Sequence, residues 1–100
     1  MSLQGFQRDY LRKLAHPLSP VVFVGKDGLT DTLVGAISQA IAARELIKVK
    51  FNDHKDKKQE IMERVVEQTG AELVGIVGHV ATLYRAHSDP DRRKIHLPVR

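Results

Sequence analysis

The sequence predicts an α/β fold: a two-layer αβαβαββ domain with a mixed four-stranded sheet and helices mainly on one side. Three observations carry this prediction. Apolar residues recur at helical spacing in three separate segments, β-branched or alternating apolar runs lie between and after them, and turn residues separate each segment from the next. A chain of 100 residues has room for one core, burying roughly 65% of the surface its unfolded form exposes, so residues 1–100 are read as one domain.

The first helix rests on Leu3, Phe6, Tyr10, Leu11 and Leu14, and His16-Pro17 closes it because proline disfavours helix in the residue before it. Val21 to Val24 is a short apolar run between Pro20 and Gly25, the pattern of a buried strand, and the turn Gly25-Lys26-Asp27-Gly28 follows. Thr30 can cap a second helix, with Asp31 in its first turn and Leu33, Ile37, Ala40 and Ile41 on one face; it runs to about Arg44. From Glu45 to Phe51 the pattern alternates. Ile47, Val49 and Phe51 share one face of a strand, and Leu46, Lys48 and Lys50 the other. Asp53 or Asp56 can cap a third helix built on Ile61, Met62, Val65 and Val66, which Gly70 is placed to end. Leu73 to Val77 and Val80 to Arg85 then form a hairpin around Gly78-His79. Residues 87–100 carry Ser88-Asp89-Pro90 turn chemistry and the cations Arg92, Arg93 and Lys94, with Ile95 and Leu97 able to dock; a partly mobile basic tail is expected.

Composition narrows the function classes. An apolar fraction of 42% and a charged fraction of 28% are those of a globular chain. The longest run without charge, Thr32 to Ala43, is far short of the roughly 20 residues of a membrane span, and Met1 to Gly5 has no secretory pattern, so a cytoplasmic protein is expected. Without cysteine there are no disulfides, thiolate metal sites or cysteine nucleophiles. Sixteen Lys and Arg against twelve Asp and Glu give a net charge of +4, which favours anionic partners.

The Gly25-Lys26-Asp27-Gly28 loop joins a strand end to a helix start, where unpaired N–H groups and the helix dipole favour an anion. Two glycines would let a phosphate backbone approach the main chain; a similar loop clamps single strands in KH domains, where it joins two helices. Asp27 opposes such binding, leaving Lys26 and the backbone to dominate. A plain turn is the alternative. Lys48 and Lys50 lie roughly 6.6 Å apart along one strand face, either as an anion-binding pair or as a lysine-protected edge. Lys55, Lys57 and Lys58 gather at the start of the third helix, against the preference of its dipole. There is no P-loop, dinucleotide fingerprint or nucleophile elbow, and His54, His79 and His87 lack the spacing of a zinc helix motif. No catalytic or metal-binding residue is assigned, and no cofactor, membrane or small-molecule substrate is expected.

The segments QRDYLRKLAHPLSPVVFVGKDGLTDTL, ELIKVKF and TGAELVGIVGHVATLYR, in that order, resemble the YhbY-type bacterial proteins made of one CRM (chloroplast RNA splicing and ribosome maturation) domain. The resemblance runs from about Phe6 to Leu97. It implies a domain similar in shape to the C-terminal domain of a bacterial translation initiation factor, with no enzymatic activity, that binds ribosomal RNA in precursors of the large subunit. The family's GxxG loop falls on Gly25 to Gly28, and its basic surface would include Lys48 and Lys50. The position of His79 is often lysine or arginine in the family, which leaves its charge at neutral pH open. The expected RNA-binding set is Gly25, Lys26, Asp27, Gly28, Lys48, Lys50 and Arg85, reading phosphates and shape more than bases. Phe6, Phe23, Phe51 and Tyr10 have core-like positions, which leaves Tyr84 as the aromatic free to stack. The alternative function is a protein-interaction adaptor in ribosome assembly or translation that does not touch RNA.

Overall fold

A computed structural model describes residues 3–99. The elements are α1 (Gly5–Ala15), β1 (Val22–Val24), α2 (Asp31–Arg44), β2 (Leu46–Phe51), a 3-10 turn (Lys55–Lys57), α3 (Lys58–Thr69), β3 (Glu72–Val77), β4 (Val80–Tyr84) and a second 3-10 turn (Pro90–Arg92). This is the αβαβαββ order expected.

Local chemistry sets most boundaries. Helix α1 stops one residue before His16-Pro17. Helix α2 starts where the Thr30 hydroxyl accepts the Leu33 N–H at 3.0 Å, and Asp31 sits against the positive end of its dipole. Helix α3 departs from expectation, because neither Asp53 nor Asp56 caps it. The Asp53 carboxylate accepts the adjacent His54 N–H at 2.8 Å, His54 turns the chain in the left-handed region (φ 53°), and the 3-10 turn intervenes before α3. Lys55 and Lys57 therefore belong to that turn, and only Lys58 starts the helix. Gly70 at φ 73° closes α3 as predicted.

The four strands lie in the order β1-β2-β4-β3. Strands β1 and β2 pair in parallel across the α2 connection, while β2 with β4 and β3 with β4 are antiparallel. Gly78, at φ 58°, makes the tight β3–β4 hairpin, and β3 carries an irregularity between Leu73 and Gly75.

One face of the sheet holds the main core. Val22, Val24, Ile47, Val49, Phe51, Ala81 and Leu83 pack beneath Leu33, Ile37 and Ile41 of α2 and Ile61, Met62 and Val65 of α3. Helix α1 covers one end of the opposite face, where Leu3, Leu11 and Ala15 meet Leu46, Val74 and Tyr84. The remainder of that face is open. Its outer row runs across the sheet as Phe23, Lys50, Val80 and Val77, by register.

Three aromatic expectations are corrected by this arrangement, one of them Tyr10, read as core but 36% exposed because it lies on the outward side of α1. Tyr84 is buried at 4% exposure under α1, so it cannot stack on a ligand, and burial pushes its phenol up. Phe23, read as core, is 53% exposed, because β1 is an edge strand with one buried and one open face.

The segment expected as a partly mobile tail, 87–100, makes specific contacts with the domain. Its described part, residues 87–99, is docked. The carboxylate of Glu45, itself buried, accepts the N–H groups of His87 at 2.8 Å, Lys94 at 2.6 Å and Ile95 at 3.0 Å. Ile95 and Leu97 pack onto the α1 cluster, and Gln7 donates to the Pro98 carbonyl at 3.2 Å.

Candidate nucleic-acid interface

The loop after β1 is a hydrogen-bonded turn in which the Gly28 N–H donates to the Gly25 carbonyl at 3.1 Å. Its two glycines do different work. Gly28 is buried at φ 63°, and a Cβ there would meet the His54 ring at 3.2 Å. Gly25 has an ordinary φ, and a Cβ there would meet nothing within 4 Å. Gly28 is thus a requirement of the fold, whereas the fold leaves the space above Gly25 open. Gly28→Ala is expected to cost about 1–2 kcal/mol in a urea melt, from left-handed strain and displacement of the His54 ring. Gly25→Ala should stay within about 0.5 kcal/mol of wild type. If the loop is an approach site, Gly25→Ala should nonetheless weaken binding to RNA.

His54 holds the loop in place. Its Nε2 lies 2.6 Å from the Lys26 carbonyl, which makes that nitrogen the protonated donor. Sequence reasoning treats His54 as an exposed polar residue. Its left-handed backbone and its partner 28 residues away belong to the tertiary fold and leave no local pattern. The Val24 carbonyl accepts the N–H groups of Asn52 at 3.0 Å and Asp53 at 3.2 Å, so the ends of β1 and β2 are fastened together.

The hairpin tip reaches the same end of the sheet. The Phe51 N–H donates to the His79 carbonyl at 2.8 Å, and the Lys58 ammonium donates to the Gly78 carbonyl and lies 3.2 Å from His79 Nδ1. Desolvation, then Lys58, Lys55 and Lys50 in turn, hold the His79 imidazole below its ordinary range. That shift favours the neutral imidazole, and Lys50, Lys55 and Lys58 are the cations around it. Lys55 and Lys58, which sequence reading places only as helix-start charges, thus converge with Lys50 around the hairpin tip.

The predicted binding residues fall into three groups. Gly25, Lys26, Asp27, Gly28 and Lys50 share one end of the molecule, with Lys26, Asp27 and Lys50 exposed. Lys48 lies one pleat back on the open face and reaches the His16 carbonyl at the C-terminus of α1, 3.4 Å away, so part of its charge serves that helix end. Arg85 lies apart from the other two groups. It follows β4 at the opposite end of the sheet, and its guanidinium donates to the Thr69 carbonyl at 2.7 Å and the Ser38 carbonyl at 3.5 Å.

Asp27 and Asp31 place negative charge near the loop, opposite in sign to Lys26 and Lys50 at the same end. Among the described residues no group of three His, Cys, Asp or Glu side chains is arranged to hold a metal ion, and no helix is long and apolar enough to cross a membrane.

The chain is similar over most of its length to known proteins. The family model of the CRS1 / YhbY (CRM) domain matches residues 3–85. A protein of Haemophilus influenzae named "RNA-binding protein" is 40% identical over 93 residues, covering 92% of this chain and 91% of its own. The Bacillus subtilis protein named "Probable RNA-binding protein YqeI" is 35% identical over 97 residues, covering 96% and 99%. The solution structure of SAV1595 from Staphylococcus aureus superposes with a TM-score of 0.80 at 36% identity, covering 97% of this chain and all of that one.

Proposed function

The chain belongs to the CRS1 / YhbY (CRM) domain family, and from that premise we propose that it is a cytoplasmic RNA-binding module without catalytic activity, whose target is ribosomal RNA in precursors of the large subunit. One observation supports the reading most. The Gly25–Gly28 loop and the lysine-ringed hairpin tip, remote in sequence, are brought to one end of the sheet. Lysines kept close together in the free protein repel one another, and a polyanion that bridges them relieves that repulsion. Backbone N–H groups of an open glycine turn, with Lys26 beside them, suit phosphate oxygens, and Lys50 extends the track onto the sheet. Names of similar proteins favour RNA as the polyanion.

The test uses deproteinised large-subunit ribosomal RNA and an unrelated structured RNA of equal length. The expected result is binding to both that weakens with salt, tighter for the ribosomal RNA. An adaptor would ignore naked RNA and associate instead with protein-containing precursor particles, with little dependence on salt. That outcome would overturn the reading.

A further inference from the structure

The geometry points to Phe23 as a base-stacking platform: a nucleobase of a single-stranded segment lies on its ring while adjoining phosphates are held by Lys26 and Lys50. This rests on the RNA-binding reading of the loop and adds a residue and a class of contact to it.

Strand β1 buries Val22 and Val24 and leaves Phe23 between them, 53% exposed. A single exposed apolar residue is ordinary, but Phe23 does not stand alone. Val21 beside it is 38% exposed, and Val77, at the far end of the same row, is 79% exposed. Between them the row holds Lys50, whose Cα pairs with Phe23 on one side and Val80 on the other. The face is therefore apolar with cations set into it, and α1 stops short of covering it.

Charge and shape select the occupant. An apolar surface studded with lysines repels a basic partner and suits one that alternates flat apolar groups with negative charge, as single-stranded RNA does. The surface is also continuous with the loop. Phe23, Gly25, Lys26 and Gly28 line one groove of about 410 Å³ that runs to Thr30 at the start of α2. Phe23 and Gly25 are two residues apart, roughly 6.6 Å in extended chain. A strand whose phosphates rest at the turn thus carries a base over the ring.

The probes are a short oligoadenylate and a ribose-phosphate chain of equal length without bases, titrated at several salt concentrations alongside the ribosomal RNA. Wild type is expected to bind the oligoadenylate roughly tenfold tighter than the base-free chain. Phe23→Ala and Phe23→Leu should both erase that preference with the salt slope unchanged, while Phe23→Tyr keeps it. Because the ring lies on an open face, all three variants should melt like wild type, which circular dichroism checks. If Phe23→Ala keeps the preference, or Phe23→Leu behaves as wild type, the stacking assignment is wrong. If ribosomal RNA binds and Gly25→Ala weakens it, but the two oligomers bind equally, stacking fails and the phosphate reading stands. If wild type binds none of the three ligands, the RNA reading fails and the stacking assignment with it.

Discussion

Glu45→Ala is expected to destabilise the domain by about 3 kcal/mol, since three hydrogen bonds to a buried carboxylate are lost together. Glu45 is 2% exposed, and its carboxylate is the shared acceptor for the N–H groups of His87, Lys94 and Ile95. Its backbone is equally committed: its N–H donates to the Ile41 carbonyl at 2.8 Å, and its own carbonyl accepts the Arg85 N–H at 2.9 Å. Alanine keeps the left-handed strain of φ 66° while losing the acceptor. Glu45→Gly relieves that strain and should cost about 1 kcal/mol less than alanine. Amide exchange at His87, Lys94 and Ile95 should accelerate in both variants, which locates the damage in the tail. Equal protection of those amides in wild type and variants would contradict this role.

The same contact gives a pH dependence with a definite sign. Burial alone would raise the Glu45 pKa, but the three N–H groups, with His87 nearby, outweigh it and hold the carboxyl below its ordinary range. A depressed folded-state value means stabilisation that is complete above the ordinary glutamate range of about 4.3 and is lost as pH falls through the folded value. Wild type should lose stability faster than Glu45→Gln as pH drops below about 4 in urea melts.

The second large effect is on binding. Reversing both Lys26 and Lys50, as Lys26→Asp with Lys50→Glu, is expected to weaken binding to large-subunit ribosomal RNA roughly 100-fold or more at low salt, from two charge-assisted phosphate contacts. Both side chains are exposed and, among the described residues, neither ammonium group makes an ion pair or hydrogen bond, so the fold should remain and the melting curve should match wild type. A matching reversal at Arg85 would not be interpretable in the same way, because its guanidinium ties the end of α3 to the sheet.

Much of this was legible in the chain. Thr30, Pro17, Gly70 and Gly78 mark boundaries through local backbone chemistry, and the alternation from Ile47 to Phe51 identifies the buried face of β2 directly. What failed depended on distant partners. Phe23 sits in an apolar run that reads as core, and only the position of β1 at the sheet edge decides that its outward face stays open. Tyr84 ends a strand near the chain terminus and appears free until α1 folds over it. Glu45 reads only as the start of the alternating strand pattern, yet its partners lie 42 to 50 residues away. For the site, the glycine loop and the lysine pair were readable by pattern, whereas the His54 contact and the convergence of Lys55 and Lys58 with Lys50 arise from tertiary placement. Sequence order does not reveal that β4 runs away from the loop, which sets Arg85 at the opposite end of the sheet from Lys26 and Lys50.

The most direct test is the salt dependence of binding to deproteinised large-subunit ribosomal RNA, measured side by side for wild type and the Lys26→Asp, Lys50→Glu double variant. Log affinity is expected to fall linearly with log salt for wild type, and the double variant to bind more weakly with a slope shallower by roughly 1.4–1.8, two phosphate contacts' worth. Equal affinities and parallel slopes from two equally folded proteins would contradict it, leaving Gly25 to Gly28 as no more than the turn between β1 and α2.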